Sequence, residues 1–274
     1  MRKLFGKIFV SVDAALVREP DFFILMDAGC EPKTRGDFMH LCRQTKKPIK
    51  YAFLTHHHWD HVHNITYFKE KFPGIEVISN HKRGSLQKFQ KEESMVLGDT
   101  EYVVIPTPGH SPKGDDICIH MPEKKTVFVG DLCQPQGPSY QRVNFSTPVP
   151  YFHLGEEYIH SLKKVLQLDI NHVVTGHGMI YRKRALEVTL EAAERMRDLA
   201  REAVRRNPGM KDSLVCKTIF ETVAYERGFH NPQSRFHDPY YRECDEQGLM
   251  YWVKRWKVSE CSKPPSGSRS GEPG

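Results

Sequence analysis

Short apolar runs bounded by turn residues dominate the first two thirds of the chain, a pattern typical of buried strands. These runs occupy residues 22–26, 49–54, 75–78, 101–105, 117–120, 126–129 and 172–174. Helical patterns fall between some of them, at residues 36–45, 64–72 and 155–167. Because strands and helices alternate through about residue 180, the sequence predicts an α/β fold.

The character of the chain changes after residue 182. Residues 183–206 form a long helical pattern that Pro208 and Gly209 end, and further helices are expected over residues 211–227 and 246–257. The last stretch is rich in Pro, Gly and Ser, which predicts disorder. We therefore expect an α/β domain over residues 1–182, a helical region over 183–258 and a disordered tail over 259–274.

The composition favours a cytoplasmic protein without membrane association. No apolar stretch approaches the roughly 20 residues of a membrane helix. Lys7 and Asp13 interrupt the apolar residues near the N-terminus, so residues 1–20 fit a strand better than a secretion signal. The seven cysteines are scattered and form no C-x-x-C pair, which argues against a disulfide framework and against a cysteine zinc cluster.

Side chains that bind metals follow several of the predicted strands directly. The run 49–54 leads into T-H-H-H-W-D-H at residues 55–61, and Gly-His, Gly-Asp and Gly-His pairs end at His110, Asp131 and His177 after later strands. In α/β folds, ligand sites gather beyond the carboxyl ends of strands. A histidine-rich surface loop would explain residues 55–61, but it would not explain three further pairs that each follow a strand.

The spacing within residues 56–61 suits a site for two metal ions. His56 and His58 are two positions apart, so they point the same way on an extended chain, and Asp60 and His61 follow where the chain would turn. Imidazole and carboxylate ligands suit zinc, iron or manganese. Chance alone would place H-x-H-x-D-H in roughly one of several hundred such chains, which is a small risk.

This constellation resembles the metallo-β-lactamase superfamily, whose signature is H-x-H-x-D-H followed by a His, an Asp and a His on later strands. The resemblance covers about residues 20–180 and implies a four-layer αβ/βα sandwich with a C-terminal helical extension. It also implies that His56, His58 and His110 hold one metal, that Asp60, His61 and His177 hold the other, and that Asp131 bridges them. Asp27 resembles the family's aspartate that orients a ligand histidine.

Several residues near this motif have competing explanations. The segment after His110 carries Lys113 and two aspartates where small residues are usual in the family. Cys133 lies close to Asp131, but a buried thiol explains it better than a metal contact. The long loop 134–154 places Tyr140, Tyr151 and Phe152 where they could line a substrate pocket, and a structural role explains them equally well.

A site of this kind suits hydrolysis. Two zinc ions, or iron or manganese in their place, would lower the pKa of a shared water, and the resulting hydroxide would attack the substrate. We expect Asp60 and Asp131 to be catalytic, with Asp60 orienting the hydroxide or passing a proton. The leading hypothesis is hydrolysis of a small ester, thioester or lactone. The layout with C-terminal helices resembles glyoxalase II.

Two other activities stay open at this point. The net charge of +6 permits a nucleic-acid phosphodiesterase, but the Arg-rich residues 183–206 are interleaved with acidic residues. The 46 positions from Asp131 to His177 also leave no room for the large domain that nuclease branches insert. A persulfide dioxygenase with a single iron would keep the same residues. A non-catalytic binding module is disfavoured because no expected ligand is missing, and the oligomeric state is open.

Overall fold

Two six-stranded sheets pack face to face, and helices cover the outer side of each sheet. The computed structural model describes residues 1–80, 89–135, 140, 149–229, 237 and 239–261. Three apolar clusters separate four layers in this part of the chain: one lies between the sheets, and one lies under the helices on either side. This is the four-layer αβ/βα sandwich that the sequence predicts.

The first sheet is built in chain order. Its strands are β1 (Arg2–Leu4), β2 (Ile8–Val10), β3 (Ala15–Arg18), β4 (Phe23–Met26), β5 (Ile49–Leu54) and β6 (Glu76–Ser79). β1 to β4 pair antiparallel, whereas β4, β5 and β6 run parallel. The parallel connections carry helices: α1 (Pro32–Thr45), α2 (Trp59–Val62) and α3 (Ile65–Lys71). The carboxyl ends of β4 and β5 therefore lie side by side.

The second sheet has the order β12-β11-β10-β9-β8-β7. Its strands are β7 (Glu93–Leu97), β8 (Thr100–Pro106), β9 (Ile117–Met121), β10 (Thr126–Phe128), β11 (His172–Val174) and β12 (Ile180–Tyr181). β10 and β11 pair parallel and are joined through α4 (Gly155–Leu166), and the other pairs are antiparallel. β8, β10 and β11 thus point in one direction and end at the same edge.

Alternate residues of the inner strands bury side chains on both faces of the first sheet. Val17 and Ile24 lie in the cluster between the sheets, whereas Leu16 and Phe23 lie in the cluster that contains residues of α1 and α3. Strands with two buried faces are apolar at successive positions. This explains why continuous apolar runs identified these strands in the sequence.

The C-terminal helices cover the outer face of the second sheet together with α4. They are α5 (Arg184–Arg206), α6 (Asp212–Glu226) and α7 (Pro239–Cys261). Met196, Phe220 and Trp252 are fully buried in the same cluster as residues of α4 and the second sheet. Gly248 of α7 lies so close to Phe152 that a Cβ there would be 2.8 Å from the ring. In the described part of the chain, no helix is long and apolar enough to cross a membrane.

The predicted strands and helices beyond residue 20 agree with the structure to within a few residues, except that α7 begins well before residue 246. Residues 1–20, expected as one strand, contain three short strands because left-handed backbone at Gly6 and Asp13 turns the chain. β7 and β12 were not expected. Of the predicted tail, residues 259–261 end α7 and residues 262–274 lie outside the described residues, as do 136–139 and 141–148 of the aromatic loop.

Candidate metal centre

All seven residues expected to bind metal lie together at one edge of the sandwich. They follow the carboxyl ends of β5, β8, β10 and β11. Their ligand atoms form two overlapping groups, and within each group all atoms lie within 4.8 Å of one another. The first group comprises His56, His58, His110 and Asp131, and the second comprises Asp60, His61, Asp131 and His177.

Three imidazole nitrogens meet in the first group. Nε2 of His56 lies 2.9 Å from Nδ1 of His58, and Nε2 of His110 lies 3.1 Å from the same atom. His56 and His58 reach the same point because the chain beyond β5 stays extended through His58, which has φ −62° and ψ 145°. Asp131 Oδ2 lies 3.6 Å from Nε2 of His110. Three nitrogens and one carboxylate therefore converge.

The carboxylate of Asp131 also borders the second group. Its Oδ1 lies 3.3 Å from His61 Nε2, and its Oδ2 lies 3.1 Å from His177 Nε2. Asp60 completes the group, with Oδ2 3.7 Å from His61 Nε2. The single turn of α2 produces this arrangement, because it bends the chain directly after His58 and directs Asp60 and His61 to a second point.

In four of the five histidines, the ring nitrogen that faces away from the two groups lies against an oxygen atom. Nδ1 of His61 donates to Asp27 at 2.9 Å, which agrees with the role expected for Asp27. Nδ1 of His110 donates to the backbone carbonyl of Tyr151 at 3.0 Å, and Nδ1 of His56 donates to the Thr55 hydroxyl at 3.1 Å. Each contact fixes its ring so that Nε2 faces inward, as a metal ligand requires.

Asp13 supplies the corresponding acceptor for His177 and was not singled out from the sequence. Its Oδ1 lies 2.9 Å from His177 Nδ1. Asp13 sits in the turn between β2 and β3 with φ +56°, a conformation that Asp tolerates better than most residues. The sequence shows only a single carboxylate within an apolar stretch, which does not indicate that His177 is its partner.

Two glycines leave the space that the ligands occupy. A Cβ at Gly176 would lie 2.2 Å from Cε1 of His61 and 2.5 Å from Oδ1 of Asp131. Gly130 has φ +50°, and a Cβ there would lie 2.5 Å from the Thr55 hydroxyl. Larger residues at either position would displace a candidate ligand or the Thr55 side chain. Steric crowding therefore requires glycine directly before Asp131 and directly before His177.

Burial and neighbouring charges shift the histidine pKa values in opposite directions in the two groups. Burial, reinforced by nearby imidazoles, lowers the pKa of His58 to about 3, and burial lowers the pKa of His110 to about 4. Burial acts in the same sense on His61 and His177, but the nearby carboxylates together outweigh it. Asp131 and Asp27 raise the pKa of His61 well above its usual value, and Asp131 and Asp13 raise the pKa of His177 to about 10. At neutral pH, metal-free protein thus has neutral rings in the first group and charged rings in the second.

Two buried atoms of the second group have no hydrogen-bond partner among the described residues, namely His61 Nε2 and Asp131 Oδ1. They face each other at 3.3 Å without the geometry of a hydrogen bond. Buried polar atoms are nearly always bonded, and a cation beside these two would satisfy both. Imidazole nitrogen and carboxylate oxygen suit zinc, iron and manganese. The residues present therefore fit transition-metal ions.

The other residues discussed from the sequence lie in different surroundings. Cys133 is buried, which raises the pKa of its thiol, and Phe152 is fully buried in the core under the helices. Tyr140 packs edge-on against Tyr181. Tyr151 is half-buried beside the first group, where its ring centroid lies 5.2 Å from that of His110. Of Tyr140, Tyr151 and Phe152, Tyr151 is therefore the residue that lies beside the candidate ligands.

Comparisons with known proteins extend these observations. The chain matches the family model of the metallo-beta-lactamase superfamily over residues 8–177. Hydroxyacylglutathione hydrolases from Brucella ovis and Brucella abortus are each 30% identical over 203 residues, covering 69% of this chain and 70% of the relative. A metallo-beta-lactamase structure from Pontibacter korlensis is similar with a TM-score of 0.54 at 17% identity, covering 70% of this chain and 91% of that one.

A structure of DIM-1 metallo-beta-lactamase is similar with a TM-score of 0.51 at 20% identity, over 68% of this chain and 87% of that one. These structural likenesses concern the fold. The family match spans more than half of the chain and contains all seven residues of the two groups. The chain therefore belongs to the metallo-beta-lactamase superfamily.

Proposed function

We propose that this chain is a metal-dependent hydrolase that cleaves a small hydroxyacyl thioester. Two zinc ions are the proposed cofactors, with iron or manganese as alternatives. One ion would bind His56, His58, His110 and Asp131, and the other would bind Asp60, His61, Asp131 and His177. The proposed catalytic residues are Asp60 and Asp131.

One observation carries the proposal. Two groups of ligand atoms share the carboxylate of Asp131, and the buried facing atoms His61 Nε2 and Asp131 Oδ1 have no hydrogen bond among the described residues. An ordinary structural cluster of histidine and aspartate would be expected to satisfy such atoms internally. The arrangement instead directs lone pairs toward two neighbouring points, which supports a dinuclear site.

Bound metal ions supply a Lewis acid for the substrate carbonyl and bring the pKa of a water near neutrality. The protein's part is to hold and orient. Asp131 fixes the separation of the two groups because its carboxylate borders both. Asp60 is placed to orient the water and accept its proton, since its side chain is 36% exposed at the rim. In the metal-free protein, burial, with the charge of Asp131, raises the pKa of Asp60.

The relatives support the substrate class. Hydroxyacylglutathione hydrolases match over about two thirds of this chain. The structure adds an argument against a nucleic acid. Arg184 pairs with Glu191 and Arg195 pairs with Glu226, each at 2.7 Å, so acidic partners neutralise much of the Arg-rich face of α5. A phosphate backbone would need unpaired cations along its path.

The C-terminal helices are proposed to cover one side of the substrate. We propose residues 1–182 as the metal-binding domain and 183–258 as a helical region that contributes to recognition. Burial, followed by the charges of Cys244 and Glu243, raises the pKa of Tyr151 to about 12. These two residues belong to α7, so α7 approaches the rim beside the first group.

The test combines metal content with a panel of substrates. Protein loaded separately with Zn²⁺, Mn²⁺ and Fe²⁺ is assayed on hydroxyacylglutathione, the matching oxygen ester, a lactone, a phosphodiester and a persulfide with oxygen uptake. We expect about two ions per chain and the highest kcat/KM on the thioester. His177→Ala should abolish most turnover, whereas Asp169→Ala, which removes an exposed ion pair with Lys125, serves as the matched control.

Two results would overturn the proposal. Oxygen consumption on the persulfide by protein with a single iron would identify a dioxygenase. Phosphodiester cleavage faster than thioester cleavage would identify a nuclease-type enzyme, and the paired arginines of α5 would then need another explanation.

A further inference from the structure

The two segments that carry the first group are joined by a contact outside the group itself. His56 and His58 point to the candidate metal, so His57 between them points to the opposite side of the extended chain. There its Nδ1 donates to the carboxylate of Asp115, at 2.8 Å from Oδ1 and 3.1 Å from Oδ2. Asp115 lies near the C-terminal end of the loop that joins β8 to β9 and carries His110.

The same carboxylate holds the residue after His110. The hydroxyl of Ser111 donates to Oδ1 of Asp115 at 2.6 Å and also lies 3.0 Å from Oδ2 of Asp116, and Ser111 is fully buried. Asp115 is therefore in contact with the neighbour of His56 and His58 and with the neighbour of His110 at once. The side chains of His57 and Asp115 are only 15% and 8% exposed, so water screens this contact weakly.

Asp116 completes the loop from the other side. Its carboxylate accepts the backbone N–H of Gly109 at 3.2 Å and of Ser111 at 3.1 Å, which flank His110. At the base of the loop the backbone N–H of Ile117 donates to the carbonyl of Thr55 at 2.8 Å. These bonds fix the backbone of the loop at its base. Asp115 in turn links Ser111, which follows His110 at the tip of the loop, to His57.

We infer that Asp115 is a positioning residue for the first metal group, which holds His110 at its distance from His56 and His58 through His57 and Ser111. This inference rests on the proposed metal site. It gives a reason for the two aspartates that depart from the family's usual small residues. It also predicts that damage at Asp115 falls mainly on the first group, because its contacts with His57 and Ser111 join the two segments that carry that group.

The experiment measures metal binding instead of turnover. In the His177→Ala background, which disables the second group, Co²⁺ is titrated and followed by its visible d–d absorption. Asp115→Ala should weaken Co²⁺ binding by about 10–100-fold and change the shape of the spectrum, as loss of a contact behind a ligand usually does. Asp115→Asn should recover most of the affinity, because its one oxygen can accept from both His57 and Ser111.

Further variants decide the outcome if Asp115→Ala folds poorly. Ser111→Ala removes one arm of the contact and His57→Phe removes the other, and each should weaken binding in the same background. Asp169→Ala is the control on an exposed carboxylate far along the chain. If Co²⁺ binds the Asp115→Ala, Ser111→Ala and His57→Phe proteins as it binds the background protein, Asp115 is only a stabilising residue and the inference fails. If the otherwise unmodified chain binds no Co²⁺, the proposed function fails instead.

Discussion

Filling both metal groups at pH 7 should release protons from the second group and none from the first. His58 and His110, with pKa values of about 3 and about 4, are already neutral. His61 and His177 carry protons, because the carboxylates around them raise their pKa, to about 10 for His177. A metal ion must displace both protons, so about two protons leave per chain.

The magnitude follows from His177. Its pKa of about 10 lies three units above pH 7. Displacing that proton costs about 4 kcal/mol at 1.36 kcal/mol per unit, or a factor of about 10³ in affinity. Because the pKa of His177 is raised, metal binding strengthens as the pH rises toward 10, by about tenfold per pH unit for each proton displaced.

Isothermal titration with Zn²⁺ at constant pH, in buffers of different ionisation enthalpy, counts the released protons. A water that loses its proton when both ions bind adds at most one proton to the count. Because His177→Ala disables the second group, it should release about two protons fewer than the unmodified chain besides that water, whereas His58→Ala should remove no proton except that of the water. The reasoning is refuted if His58→Ala lowers the count as much as His177→Ala does.

Three more outcomes are expected. Asp131→Asn should cut turnover by about 10–100-fold or more, measured by the kinetics of the metal-loaded protein. Gly176→Ala should abolish the second metal without losing the first, seen as one Zn²⁺ instead of two by mass spectrometry, because its Cβ would lie 2.2 Å from the His61 ring. Phe152→Ala should lower the free energy of unfolding by about 3–5 kcal/mol, since the ring is fully buried; equal midpoints in denaturant would contradict this.

The sequence was informative where burial or motif leaves a local pattern. β4 is buried at every position and appeared as an uninterrupted apolar run, and β5 and β9 are buried over most of their length and are mostly apolar. β7 was missed because it lies at a sheet edge with half-exposed and exposed residues in alternation. β12 has two residues, too few for any period to show. Exposure and length, more than composition, decided which strands could be predicted.

The candidate ligands could be read from the sequence because each follows a strand end, and four of them occur within six residues. Their supports could not. Asp13 contacts His177 across 164 positions of sequence, and His57 contacts Asp115 across 58. The acceptor for His110 is a backbone carbonyl at Tyr151, which every residue possesses. Such partners are chosen by the fold, so no local pattern identifies them.

The carbonyl of Tyr151 has a consequence for how such a chain can diversify. It belongs to the segment that continues into Phe152, whose ring packs against Gly248 of α7, whereas Asp13 and Asp27 belong to the first sheet. Substitutions in α7 therefore affect His110 more directly than they affect the other candidate ligands. A lineage that changes α7 would therefore first alter the geometry of the first group, while the second group keeps its geometry. Substitutions in α7 would then change the helical region and the first group together, because the backbone at Tyr151 links the two.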